Sequence, residues 1–216
     1  MISVLIADDQ QLVRAGVRML CESTDDITVA GEAVNGAEAL RLAERLQPDV
    51  ILMDLHMPGM DGTAATRQIL AIRPSARVVV LTTFDDDDRL YPALSAGACG
   101  FLAKDVSPAS VLDAIRRAAA GESPYSPSVL HRVVARASSA WTGEGDRRRE
   151  TVHFTGREQE VLRLVAAGLS NTEIAERMHV GVTTVKTHVS NLMTKTDSPN
   201  RVRLAVLAIQ QGLAEG

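Results

Sequence analysis

Aromatic residues are scarce. Only 3% of the 216 residues are Phe, Tyr or Trp, so whatever core the chain builds must be aliphatic. Cysteine is scarcer still, with Cys21 and Cys99 alone and no metal-type spacing between them. They read as reduced thiols of a cytoplasmic protein. The five histidines are scattered, and none pairs at helical or loop spacing. No apolar run reaches membrane-spanning length and no signal peptide opens the chain, so no membrane association is expected.

What is present is uneven. The net charge of −4 hides an asymmetry. Residues 1–120 carry 11 Lys/Arg against 17 Asp/Glu, a net of −6, and residues 121–216 carry 12 against 10, a net of +2. An acidic front and a mildly basic rear suggest two domains with different partners. The front alternates apolar runs with helical periodicity. Strands are expected at 3–7, 27–32, 50–53, 78–81 and 100–103. Helices are expected after each: one with Val13, Val17 and Leu20 on a face, one capped by Asn35 with Glu38 three residues on, one from about Thr63 to Ile72, one from about Asp86 to Ala96, and one capped by Ser107 with Pro108 at its first turn. Five βα units predict an open parallel sheet with helices on both faces.

In such sheets the functional crevice lies at the carboxyl ends of the strands. Those ends carry Asp8 and Asp9, Asp54, Thr82 and Thr83, and Lys104. If the strand order is 2-1-3-4-5, three carboxylates, a hydroxyl and an ammonium converge on one rim. Each residue alone has a plainer reading, as a cap, a turn hydroxyl or a solvated charge. The conjunction is harder to dismiss, because clustered carboxylates raise one another's pKa values. A hard divalent cation such as Mg²⁺, with oxygen ligands, would hold them.

The stretches "ADD" (7–9), "MDLHMPGMDG" (53–62), "LTT" (81–83) and "GFLAKD" (100–105) resemble, in kind, order and spacing, the receiver domain of two-component response regulators. The resemblance covers about residues 1–120 and implies a flavodoxin-like, five-stranded α/β fold. It implies that Asp54 accepts a phosphoryl group from a sensor histidine kinase. Asp8, Asp9, Asp54 and the backbone carbonyl of His56 would hold Mg²⁺. Lys104 would pair with the phosphoryl oxygens, Thr82 would bond them, and Phe101 would be the aromatic switch. Pro92 falls inside the expected fourth helix and should disturb it. The acids of "DDDD" (85–88) suit a first helical turn.

Residues 122–153 read as a linker, with one helix expected at 126–139 and Trp141 loosely held behind it. The last third is helical throughout. Thr155 and Glu158 have capping-box spacing, a short helix follows at "SNTEIAERMHV", and Gly181 precedes a longer one at 182–195. A short helix, a tight turn and a longer helix make a helix-turn-helix. A plain helical bundle with a basic face is the alternative.

"TGREQEVLRLVAAGLSNTEIAERMHV" and "TVKTHVSNLMTK" resemble the LuxR-type (NarL/FixJ) DNA-binding domain, over about residues 150–213. The resemblance implies that Val182–Lys195 enters the major groove of double-stranded DNA. Lys186, Thr187, Ser190 and Asn191 would face bases, and Thr183, Thr184 and Lys195 phosphates. Gly181 stands where serine usually caps this helix, and "KTDSPNR" (195–201) replaces the usual Lys-Leu-Gly segment, with Thr196 at an apolar position. The final helix, Arg201 to about Leu213, offers Val202, Val206 and Ile209 as a dimer face.

The expected protein is thus a receiver at 1–121, a linker at 122–153 and a small all-α DNA-binding domain at 154–216. It would be a cytoplasmic transcription regulator rather than an enzyme, with only self-phosphorylation and dephosphorylation chemistry at Asp54. It would form a homodimer when active, with RNA polymerase a further partner. A haloacid-dehalogenase-type phosphatase also uses an aspartyl phosphate, but it needs Asp-x-Asp after the first strand, where this chain has Asp8-Asp9-Gln10. A second rival uses its basic domain for protein contacts only, and salt-dependent DNA binding separates the two.

Overall fold

The computed structural model describes residues 1–82, 92–125, 153–167, 169–198 and 200–213. The chain divides into two compact units that part between Val129 and Leu130. Thr83, the acidic run 85–88, most of the expected fourth helix, the linker helix at 126–139 and Trp141 lie outside the described residues.

In the first unit β1 (Ile2–Ala7), β2 (Ile27–Ala33), β3 (Val50–Asp54), β4 (Arg77–Thr82) and β5 (Gly100–Ala103) form one parallel sheet in the order β2-β1-β3-β4-β5. The expected order is the one found. Side chains alternate between faces along a strand. Val50 and Leu52 therefore pack with α1 (Gln11–Glu22) and α4 (Pro108–Ala119), through Val17, Cys21, Val111 and Ile115. Ile51 and Met53 pack on the opposite face with α2 (Gly36–Leu46) and α3 (Gly62–Ile72), through Leu42, Ala65 and Ile69. With both faces covered, all five residues of β3 are buried, which is why its sequence is an unbroken apolar run.

Local signals set the helix ends. The Asn35 side chain accepts from the Glu38 amide, and Ser107 accepts from Ser110 ahead of Pro108. Asp61, the second acid behind Asp54, accepts from the Ala64 amide at 2.8 Å and caps α3. Residues 92–95 are helical, with the Pro92 carbonyl accepting from Ala96, so Pro92 stands at the front of this described turn. Beyond α4, Gly121 takes φ +80° and turns the chain back along the sheet edge. There the Pro124 carbonyl accepts from the Phe101 amide, and Tyr125 bridges Phe101 in parallel. Pro124 lies so close to Gly100 that a Cβ there would meet its ring and carbonyl at 2.7 Å.

The second unit holds α5 (Gly156–Ala166), α6 (Asn171–Met178), α7 (Val182–Lys195) and α8 (Arg201–Gln210). Val161, Leu162, Ile174, Val185, Leu192 and Leu204 form its aliphatic core. Thr155/Glu158 and Ser170/Glu173 are both complete capping boxes, and the second of these passed unremarked in the sequence despite the same Ser-x-x-Glu spacing. Gly181 makes no side-chain cap, as its sequence dictates. The unusual segment after α7 is internally satisfied. The Thr196 hydroxyl donates to the Leu192 carbonyl at 2.7 Å and can accept from the Ser198 hydroxyl 2.8 Å away, so its half-buried position costs no orphaned donor. Asn200 then caps α8 through the Arg203 amide.

Of the residues expected to offer a dimer face on α8, two are covered in the folded chain and the third faces inward. Val202 is 1% exposed and Val206 4%, and Ile209 packs against the unit's own core. Among the described residues no helix is long and apolar enough to cross a membrane.

Candidate functional site

Sheet register builds the acidic site. Ala7 pairs with Met53, Asp54 with Leu81 and Thr82 with Ala103, so the strand ends are level. Asp8, Asp54 and Lys104 therefore emerge side by side at one rim. Carboxylate oxygens of Asp8, Asp9 and Asp54 lie within 4.8 Å of one another. Asp8 and Asp54 are buried, at 0% and 1% exposure, and Asp9 is open to solvent. The Lys104 ammonium lies 2.8 Å from Asp8 Oδ2 and 3.1 Å from Asp54 Oδ2.

The electrostatics are strained. Burial pushes the Asp54 carboxyl above its ordinary pKa and Asp8 adds to the rise, while Lys104 and the His56 amide work against it. Burial also disfavours the Lys104 ammonium, but Asp8 and Asp54 together outweigh that and raise its pKa. Apart from these ion pairs, the buried oxygens Asp8 Oδ2 and Asp54 Oδ2 accept no hydrogen bond. Three convergent carboxylates with such oxygens fit a hard divalent cation, which prefers an all-oxygen donor set. His56 follows Asp54 by two residues with its side chain exposed, consistent with use of its main chain alone.

The backbone of Thr82 ends β4 beside Ala103, and its side chain lies outside what is described. Phe101, the expected switch, is fully buried, and its ring stacks on Tyr125 with centroids 6.0 Å apart and planes 11° apart. Two neighbours of the site were not singled out from sequence. Gly62 has its backbone so close to Asp54 that a Cβ would sit 1.9 Å from the Asp54 carbonyl oxygen. Arg14 reaches back from α1 to the carbonyls of Asp8 and Asp9. A Gly after "MD" was a readable signal, whereas an arginine on a polar helix was not.

On α7 the expected DNA residues share a face. At 100° per residue, Thr183, Thr184, Thr187, Ser190 and Asn191 lie opposite the buried Val185, Val189 and Leu192. All five are exposed, and Lys186 is half-buried at the edge of their face. The Thr187 hydroxyl donates to its own helix, at the Thr183 carbonyl. Lys195 is engaged elsewhere: its ammonium bonds both Glu158 oxygens at 3.0 and 2.8 Å and lies 5.3 Å from the Phe154 ring centroid. It thereby ties the end of α7 to the start of α5.

Residues 4–116 match the family model described as the response regulator receiver domain, and residues 152–208 match that of the bacterial regulatory proteins of the luxR family. The transcriptional regulatory protein LiaR of Bacillus subtilis (strain 168) is 44% identical over 208 residues, 96% of this chain and 97% of that protein. The crystal structure of the response regulator ChrA, of a heme-sensing two-component system, shares 34% identity with a TM-score of 0.55, covering 98% of both chains. A structure of two RcsB dimers bound to two parallel DNAs shares 26% identity with a TM-score of 0.58, over 97% of this chain and 98% of that one. A receiver-type acidic rim, a helix-turn-helix with a polar outer face, and matches spanning nearly the whole chain agree: the protein belongs to the LuxR-family transcriptional response regulators of two-component systems.

Proposed function

We propose that Asp54 is the phosphoacceptor of this regulator and that its phosphorylation, by a sensor histidine kinase, requires Mg²⁺. The observation that carries this reading is the convergence of Asp8, Asp9 and Asp54 within 4.8 Å, with Lys104 in contact with two of them. Asp8, Asp9, the Asp54 carboxylate and the His56 carbonyl would hold Mg²⁺, which when bound neutralises charge on the acids and on the entering phosphoryl group. An Asp54 oxygen attacks the phosphorus of the donor. The bond from phosphorus to the donor atom breaks, the donor keeps its electron pair, and an acyl phosphate remains on Asp54. Lys104, already against Asp54, pairs with the phosphoryl oxygens, and Thr82 supplies a hydroxyl to them. The chain's remaining contribution is positioning, which dominates phosphoryl transfer. Like its relatives the protein regulates transcription, and the chemistry at Asp54 is its own modification.

The test is labelling by a small acyl phosphate. We expect Asp54 to be phosphorylated with Mg²⁺ and not without a divalent cation, and Asp54→Asn to lose the label. Undiminished labelling of Asp54→Asn would place the phosphosite elsewhere.

The output half of the proposal rests on the outer face of α7. Lys186, Thr187, Ser190 and Asn191 would meet base edges in the major groove, with Thr183 and Thr184 on phosphates. Lys195 is assigned to phosphates on resemblance, and its contact with Glu158 gives it a competing structural role. A homodimer, active on two half-sites about one DNA turn apart, is the reading that the likeness to the DNA-bound RcsB dimers supports; RNA polymerase would be a further partner and the cytoplasm the place of action. Phe101 would transmit the state of Asp54, and residues 122–153 would link a receiver at 1–121 to the DNA-binding domain at 154–216. DNA binding should weaken steeply with salt as phosphate contacts release counterions. Lys186→Ala should cost about 1–3 kcal/mol of specific affinity if that side chain reads a guanine. Unchanged operator affinity in a gel shift would remove Lys186 from the base contacts.

A further inference from the structure

We propose that Arg14 is a positioning residue for the acidic site: from outside the ligand set it fixes the Asp8–Asp9 backbone, and with it the aim of the two carboxylates. The inference rests on the metal-dependent reading of that site. Arg14 lies in the first turn of α1, and its side chain is only 12% exposed. One of its terminal nitrogens donates to two successive carbonyls, Asp8 O at 2.8 Å and Asp9 O at 3.1 Å. Its buried Nε, with no hydrogen-bond acceptor of its own, faces Glu32 Oε2 at 3.4 Å. Arg18, one turn further along α1, holds the other Glu32 oxygen at 2.8 Å. Glu32 sits near the end of β2, whose last pair with β1 is Ala33 with Ala7.

The guanidinium therefore pins the acid loop between α1 and the edge of the sheet. Asp8 is held at a second point, because its Oδ1 accepts from the Gln10 amide at 2.8 Å. With the carbonyls and Oδ1 committed, Asp8 Oδ2 is left directed toward Lys104 and Asp54. Asp9 has no such side-chain anchor among the described contacts and depends on its backbone for its aim. A simple structural tie would need only one of these carbonyls. Gripping both, immediately behind two carboxylates that repel each other, is the arrangement expected of a group that orients ligands from behind.

The experiment is titration of the full-length, unphosphorylated protein with Mg²⁺ alone by calorimetry, for the parent, Arg14→Ala, Arg14→Lys and Asp9→Ala. Unfolding in chelator is recorded for each. Loss of a group of this kind typically weakens metal binding 10- to 100-fold, so Arg14→Ala should raise the Mg²⁺ dissociation constant by about tenfold. Arg14→Lys, which keeps a cationic donor, should recover most of that affinity, a rescue that stability in chelator need not follow. Parent-like Mg²⁺ affinity in Arg14→Ala, alongside a clear loss in Asp9→Ala, would overturn the role of Arg14 and leave the metal site standing. Arg14→Lys no better than Arg14→Ala would also overturn it. No Mg²⁺ binding by the parent, or none lost in Asp9→Ala, would overturn the metal reading itself.

Discussion

The two units treat charge in opposite ways. In the receiver, carboxylates are buried against one another, and Asp54 sits above its ordinary pKa because burial disfavours its charge. In the DNA-binding unit the carboxylates finish helices. Glu158 and Glu173 close capping boxes, and Glu158 is held below its ordinary pKa, chiefly by its hydrogen bond from Lys195. The first arrangement stores unfavourable electrostatics that a bound cation would relieve. The second relieves them within the chain and leaves the outer face of α7 to hydroxyls and amides. Local rules are broken where a ligand is to be met and obeyed where a surface need only be presented.

Removing Lys104 should break the comparison most visibly. Its side chain is 16% exposed and is the cation in contact with the two buried acids. Lys104→Ala should destabilise the metal-free receiver by about 3–5 kcal/mol, since an uncompensated buried charge is left behind. The loss should shrink in saturating Mg²⁺. Urea unfolding with and without chelator measures both, and a small loss that ignores Mg²⁺ would mean the acids are not held in tension.

The same glycine substitution should have opposite signs in the two units. Gly62→Ala drives a Cβ into the Asp54 carbonyl, which is backbone and cannot step aside, and should cost about 1–3 kcal/mol. Gly156→Ala at the start of α5 meets nothing within 4 Å and should gain about 0.5 kcal/mol by restricting the unfolded chain. Hydrogen exchange resolved along the chain assigns each change to its unit. A harmless Gly62→Ala would show that the turn behind Asp54 is soft.

The smallest effects sharpen the comparison through pH. The raised pKa of Asp54 means its contribution to stability is full below the unfolded value and is lost as pH rises through the folded one. Asp54→Asn should therefore be more stable than the parent in chelator at neutral pH, with the gap closing in acid. The lowered pKa of Glu158 gives the reverse: stability present above the unfolded value and lost as pH falls through the folded one. Glu158→Gln should be the less stable protein at neutral pH, and that gap too should close in acid. Equal signs for the two variants would erase the distinction between the units.

Much of this was legible in the residues themselves. Period, caps and breakers act over four residues or fewer, so the sequence alone placed the strands, the caps at Asn35, Ser107 and Thr155, and the helix at 182–195. The acidic rim was legible too, because a parallel sheet brings its strand ends level whatever lies between them. Contacts between groups far apart in the chain were decided by tertiary packing. Lys195 meets Glu158 across 37 positions, and Phe101 stacks on Tyr125 where the chain leaves the receiver. Val202 and Val206 look like an open stripe on a helical wheel and are covered in the folded chain. The reach of Arg14 to two carbonyls depends on how α1 leaves the sheet. A sequence specifies which residues a helix face carries; which surface that face meets is settled only when every element competes for the same core.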